Sequence, residues 1–133
     1  MSSPLHSRAA WGARHRRSTP PPIASEGVTV HYGGGSPWPS SANRSSAAAF
    51  RDSTDHARCA SILRGWQSYH MDGRGWTDLA YNSAVCPHGH RYDGRGVGVR
   101  SGANGTNPGN ARSEAVVYIA GGADPVTDEA KLA

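Results

Sequence analysis

The most apolar run in this chain, Ala115-Val116-Val117-Tyr118-Ile119-Ala120, reads as a central strand, and the rest of the fold has to be arranged around it. A second compact β-branched run, Val28-Thr29-Val30-His31-Tyr32, is stopped by Gly33-Gly34-Gly35 and also reads as a strand. Between them Cys59, Ile62, Leu63 and Trp66 fall at i, i+3, i+4 and i+7, which predicts one apolar stripe on a helix. Helix signals begin near Ser45, and the helix is expected to end near Met71, before Asp72-Gly73. Strands and a helix interleaved in this way predict an α/β fold, a single sheet packed on a few helices.

Shorter segments fill in the plan. Residues 1–26 read as an irregular N-terminal arm, stiffened by Pro20-Pro21-Pro22, in which Ala10-Trp11-Gly12-Ala13 is an apolar knot packing back on the domain. Residues 33–44 form a loop. Leu79 to Val85 is a further strand, Pro87-His88-Gly89-His90 a hairpin turn, and Arg91-Tyr92-Asp93 the return. Gly94 to Gly109 is a long polar loop, and loops of that length in compact domains are usually functional. Near the C-terminus Thr127 caps a helix with Asp128 and Glu129 in its first turn, but only about two turns follow, which predicts a domain that is incomplete at its C-terminus.

Composition narrows the function classes. At 133 residues the chain is a single domain, and 17 Gly with 9 Pro favour a loop-rich α/β protein over a helical bundle. A net charge of +4 suits an anionic partner, nucleic acid or an acidic cell wall. The Arg14-His15-Arg16-Arg17 cluster is accompanied by no nucleic-acid-reading motif, so nucleic acid is not the expected partner. The N-terminus lacks an apolar signal-peptide core and no segment approaches a membrane span, so a soluble chain made without a signal peptide and without a membrane partner is expected. Cys59 and Cys86 lack CxxC spacing; a disulfide is possible, and two buried thiols is the preferred reading.

Several side chains are candidates for chemistry. His31 sits on a strand beside a glycine-rich loop, a rigid platform on which an imidazole can serve either as a metal ligand or as a half-buried structural residue. Cys86-x-His88-x-His90 can chelate a soft metal in principle, and reads more simply as a polar hairpin tip. His70 falls at a helix end, where a protonated imidazole suits the helix dipole. Tyr81 is either a core residue or a phenol placed to support an oxyanion. The chain contains no HExxH, no Walker loop and no Ser-His-Asp order.

An ordered set of segments carries a resemblance: Arg8 to Ala13, Val28 to Tyr32, Gln67 to Met71, Gly75 to Asn82, Asp93 to Gly96, and Gly102 to Gly122. Together they resemble the type-2 N-acetylmuramoyl-L-alanine amidases and peptidoglycan-recognition proteins. Cys86-Pro87-His88-Gly89 and Gly105-Thr106-Asn107 are most similar to endolysins of phages that infect actinobacteria. The resemblance implies a mixed central β-sheet flanked by helices, peptidoglycan as partner, a groove with zinc on its floor, and cleavage of the amide between N-acetylmuramic acid and L-alanine. It implies His31 as first zinc ligand and Tyr81 as the catalytic tyrosine, with Trp76, Asn82, Arg95 and Asn104 lining or bracing the groove.

Asn104 departs from a Gly-Ala-His motif common in the family. The family's other two zinc ligands lie beyond the helix starting near Thr127 and have no counterpart here. The zinc site is therefore expected to be incomplete, with a further C-terminal segment or another chain completing the fold. Without that segment Ala115 to Ala120 is expected to expose an apolar patch. The implied role is a phage-type hydrolase made in the host cytoplasm and acting on the wall after release. The alternatives are a non-catalytic peptidoglycan-binding module or a structural virion component.

Overall fold

A computed structural model describes residues 4–38 and 56–133. The first part of the helix expected from Ser45, and the end of the loop expected over 33–44, lie outside the described residues. In chain order the elements are β1 (Leu5–His6), α1 (Arg8–Trp11), β2 (Gly27–Gly33), α2 (His56–Ser68), β3 (Ser83–Val85), β4 (Arg91–Asp93), α3 (Asn107–Arg112), β5 (Ser113–Gly121) and α4 (Asp128–Leu132). Among the described residues the strands form a five-stranded sheet in the order β1-β4-β3-β5-β2. β5 runs parallel to both β2 and β3, while β4 is antiparallel to β3, so the sheet is mixed as expected.

Register decides which side chains share a face. His31 pairs with Val117, Val117 with Ala84, and Ala84 with Tyr92, so these four lie in one row. That face is covered by α2, whose Cys59 and Leu63 are buried against Trp11, Leu79 and Ile119. The stripe predicted from spacing is thus the packing face of the helix. Alternate residues face the other way. Ala115, Val117, Ile119 and Ala120 are fully buried, so the predicted central run is mostly not exposed. The apolar surface lies mainly on edge strand β2, where Val28 is 59%, Val30 72% and Tyr32 62% exposed. Val28, Val30, Val116 and Tyr118 line an open trough of about 530 Å3 there.

Three local expectations are corrected. The N-terminal arm is not wholly irregular, because β1 pairs with β4 and α1 is capped by Ser7. Trp11 is buried and its Nε1 donates to the Asp93 carbonyl at 2.7 Å, as an apolar knot packed on the domain should be. The strand read over Leu79 to Val85 is only Ser83–Val85. Backbone groups of 79–82 are engaged elsewhere: Ala80 N–H donates to His70 Nδ1, the Leu79 carbonyl accepts from Arg95 Nε, and the Ala80 carbonyl accepts from Gly102 N–H. Finally, the long loop after Asp93 is interrupted by α3, capped by the Thr106 hydroxyl accepting from Gly109 N–H. The turn over 86–90 is as predicted, with Cys86 N–H donating to the His90 carbonyl. No described helix is long and apolar enough to cross a membrane.

Candidate functional site

After α2 the chain does not stop cleanly near Met71 but widens into a π-turn over Tyr69–Gly73. Such turns displace side chains from the helical ladder and recur at functional sites. Here the turn sets His70 toward the segment Trp76 to Tyr81, and its Nδ1 accepts the Ala80 N–H at 3.0 Å. His70 is therefore neutral with its proton on Nε2, not the cation its helix-end position suggests. Burial first, then the nearby Arg95 and Arg74 charges, lower its pKa to about 4.

His70, Arg74, Trp76, Tyr81, Arg95 and Arg100, together with Ser101 to Ala103, line a cavity of about 570 Å3. The Tyr81 ring sits 5.8 Å from His70 and 5.6 Å from His31, so it bridges the cavity wall and strand β2. Burial raises the Tyr81 pKa, which keeps the phenol protonated and able to donate. Arg95 is buried, its Nε donating to the Leu79 carbonyl at 2.7 Å. Burial lowers its pKa, opposed by Asp78, but an arginine remains cationic.

Beneath this wall Asp78 is fully buried, accepting from Arg8 and from Gln67 Nε2. Through Arg8 the N-terminal segment is tied to the cavity. Trp76 faces the cavity and carries the Arg74 guanidinium 4.9 Å over its ring.

The other two site residues expected from sequence take different positions. Asn82 is 1% exposed and bonds only to backbone: Oδ1 accepts from Ala115 N–H, and Nδ2 donates to the Gly96 and Val99 carbonyls. It braces the groove without lining it. Asn104 directs its amide nitrogen at Ser101 Oγ and at the Gly109 and Ser113 carbonyls, which leaves Oδ1 as the acceptor toward His31 Nε2 at 2.8 Å. His31 then carries its proton on Nε2 and keeps a lone pair on Nδ1. This is how an outer partner fixes the tautomer of a metal-ligating histidine.

His31 nevertheless belongs to no group of three or more metal-ligating side chains among the described residues. The one group there of three or more metal-ligating side chains lies elsewhere, at His56, Cys59, Cys86 and His88. A zinc ion on the groove floor does not fit the described residues alone.

That second group joins two elements. His56 and Cys59 are i and i+3 on α2, and Cys86 and His88 are i and i+2 in the turn between β3 and β4. Both cysteines are buried, and they are not joined in a disulfide. Contact with Cys59, and then with His88, draws the Cys86 thiol well below its ordinary range against the effect of burial. Spacing alone showed Cys86 and His88; it took the packing of α2 to add His56 and Cys59. The bland reading as a polar hairpin tip is thus corrected, since Cys86 is wholly inside the core.

Comparison with known proteins places this geometry. No protein-family model matches the chain. An N-acetylmuramoyl-L-alanine amidase from Sus scrofa is 31% identical over 94 residues, 69% of this chain and 14% of that protein. Peptidoglycan-recognition protein SC2 from Drosophila simulans is 40% identical over 63 residues, 47% of this chain and 33% of that protein. Drosophila PGRP-LB, solved as a mutant in complex with tracheal cytotoxin, superposes with a TM-score of 0.72 at 23% identity, covering 96% of this chain and 67% of that one. By sequence and fold, this chain is related to the peptidoglycan-recognition proteins and N-acetylmuramoyl-L-alanine amidases. It spans only 14% and 33% of the length of these two curated relatives. The mixed sheet covered by α2 is the peptidoglycan-recognition fold.

Proposed function

We propose that the chain binds peptidoglycan stem fragments in the cavity between the π-turn and the Gly94 to Gly105 loop, as part of an N-acetylmuramoyl-L-alanine amidase. The observation that carries this is the cavity itself, lined by Arg74, Arg95 and Arg100 together with Trp76 and Tyr81, with the Arg74 guanidinium 4.9 Å over the Trp76 ring. Cationic groups suit the carboxylates of a stem peptide, and aromatic faces suit the apolar faces of sugars. Support comes from solved relatives that hold tracheal cytotoxin, a monomeric diaminopimelic acid-type peptidoglycan.

The hydrolytic form of this reading is a zinc-dependent amidase of phage endolysin type, made in a host cytoplasm and acting on the wall after release. Hydrolysis would add water across the amide between N-acetylmuramic acid and L-alanine, leaving a carboxylate on the lactyl group and a free amine on alanine. Of this chain's own residues, the protonated Tyr81 hydroxyl is a donor available to a developing oxyanion. Asn104 holds His31 with Nδ1 unprotonated. Amidase turnover requires metal ligands beyond His31, whereas binding does not.

Calorimetric titration with a monomeric diaminopimelic acid muropeptide tests the binding. Saturable binding, weakened at least tenfold in Trp76→Ala, is expected. No binding by a folded wild-type chain would refute the proposal. Release of free alanine amines from the same muropeptide, lost in His31→Ala, would establish the hydrolytic form; binding without release would leave a binding module.

A further inference from the structure

We propose that His56, Cys59, Cys86 and His88 form a closed Cys2His2 zinc site that fastens the start of α2 to the β3–β4 turn, independent of the peptidoglycan groove. Their ligating atoms all lie within 4.8 Å of one another. Tetrahedral zinc with sulfur at ~2.3 Å and nitrogen at ~2.0 Å spaces its ligands about 3.3–3.8 Å apart. Cys59 Sγ and His88 Nδ1 already stand at 3.7 Å. Closing the remaining edges takes side-chain shifts of about an ångström, within what rotamer adjustment supplies.

Ligand chemistry narrows the metal. Two thiols and two imidazoles with no carboxylate among them suit zinc and exclude the oxygen-seeking calcium and magnesium. All four positions are filled by protein and both sulfurs are fully buried, so no coordination place is left for substrate. Such a site is structural. Without a metal, His56 Nδ1 is buried and lacks any hydrogen-bond partner, an arrangement folded proteins rarely tolerate.

The surroundings hold the ligands in place. His90 stacks on His56 at 4.0 Å and is joined to His6 through ring nitrogens 2.8 Å apart, so an imidazole column backs the ligand on α2. Trp38 meets the His88 ring edge-on at 5.7 Å. The turn is pinned by Gly89 N–H donating to the Cys86 carbonyl and by Thr127 Oγ1 donating to the Pro87 carbonyl at 2.6 Å. These bonds set Cys86 and His88 on one side of the turn, opposite the helical pair. Loading would leave zinc bound by two thiolates and two neutral imidazoles, with release of any proton a thiol still holds.

The test uses the full 133-residue chain, purified with zinc present and freed of loosely held metal. About one zinc per chain is expected, released when two equivalents of an organomercurial react with the thiols. Replacement by cobalt(II) should give thiolate-to-metal charge-transfer bands and the intense visible bands of tetrahedral cobalt. His31→Ala should keep the metal, and Cys59→Ser and His88→Gln should lose it. Metal lost in His31→Ala but kept in the other two would overturn the proposal and place the ion in the groove. A chain without zinc, or one whose thiols are both consumed in a disulfide, would overturn it as well. The mercurial and cobalt readouts use the wild-type chain, so they stand even if a substitution prevents folding.

Discussion

Replacing Asn82 by alanine separates a structural strut from a substrate contact, because every bond this side chain makes is to backbone. Its Oδ1 accepts from Ala115 N–H at 2.7 Å, and Nδ2 donates to the Gly96 and Val99 carbonyls at 2.9 and 2.8 Å. At 1% exposure, no solvent replaces these bonds on the surface. Each buried backbone group left unpaired costs about 1–3 kcal/mol, and three of them would sum to roughly 3–9 kcal/mol in a rigid site. A water admitted to the vacated space recovers part of that, so a loss of about 3–4 kcal/mol is expected. For a domain of this size that lowers Tm by roughly 10 °C.

Urea unfolding followed by tryptophan fluorescence measures the loss, with an unchanged m-value showing that the unfolding transition is otherwise the same. Asn82→Asp supplies a signed control. Its second carboxylate oxygen would face the Gly96 and Val99 carbonyls, which favours the protonated acid and raises its folded pKa above the unfolded ~3.9. Relative to wild type, that variant should be least destabilised below pH ~4 and lose stability as pH rises through the folded pKa. If Asn82→Ala costs less than about 0.5 kcal/mol, within the range of an ordinary surface change, yet abolishes muropeptide binding, the strut reasoning is refuted.

Two further outcomes follow from the same geometry. The His70 pKa is lowered from 6.5 to about 4, so the unfolded chain takes up a proton first as pH falls. Wild-type stability should be complete above pH ~6.5 and fall by roughly 1–2 kcal/mol by pH 4, after allowing for partial exposure, a slope that His70→Gln should flatten. A Cβ at Gly94 would run into the Tyr81 carbonyl oxygen and come within 3.2 Å of Asn82 backbone. Gly94→Ala should therefore cost about 1–3 kcal/mol in thermal unfolding and displace Tyr81, weakening muropeptide binding beyond the effect on stability.

The reach of the sequence is clearest where a signal is periodic and local. The β-branched run at Val28 to Tyr32, the stripe from Cys59 to Trp66 and the cap at Thr127 each correspond to an element of the structure. Each depends on interactions within a few residues, so spacing is enough to reveal it. Leu79 to Asn82 has strand-like residues but no strand, because its backbone groups are taken by His70, Arg95 and the Gly102 loop, all distant along the chain. The same is true of side-chain roles. His31 and Asn104 are 73 residues apart, and no local pattern shows that one fixes the tautomer of the other.

Sequence by itself determined the α/β class, the central strand, the face that α2 buries and the relation to the amidases, because these rest on hydrophobic periodicity and on ordered motifs. Tertiary structure alone decided that Asn82 is a strut, that His70 is a neutral wall of the cavity, and that two cysteines and two histidines converge. The reason is physical. Burial, tautomer and ligand geometry are set by what packs against a side chain, and for these residues the neighbours come from helix, turn and loop far removed in sequence.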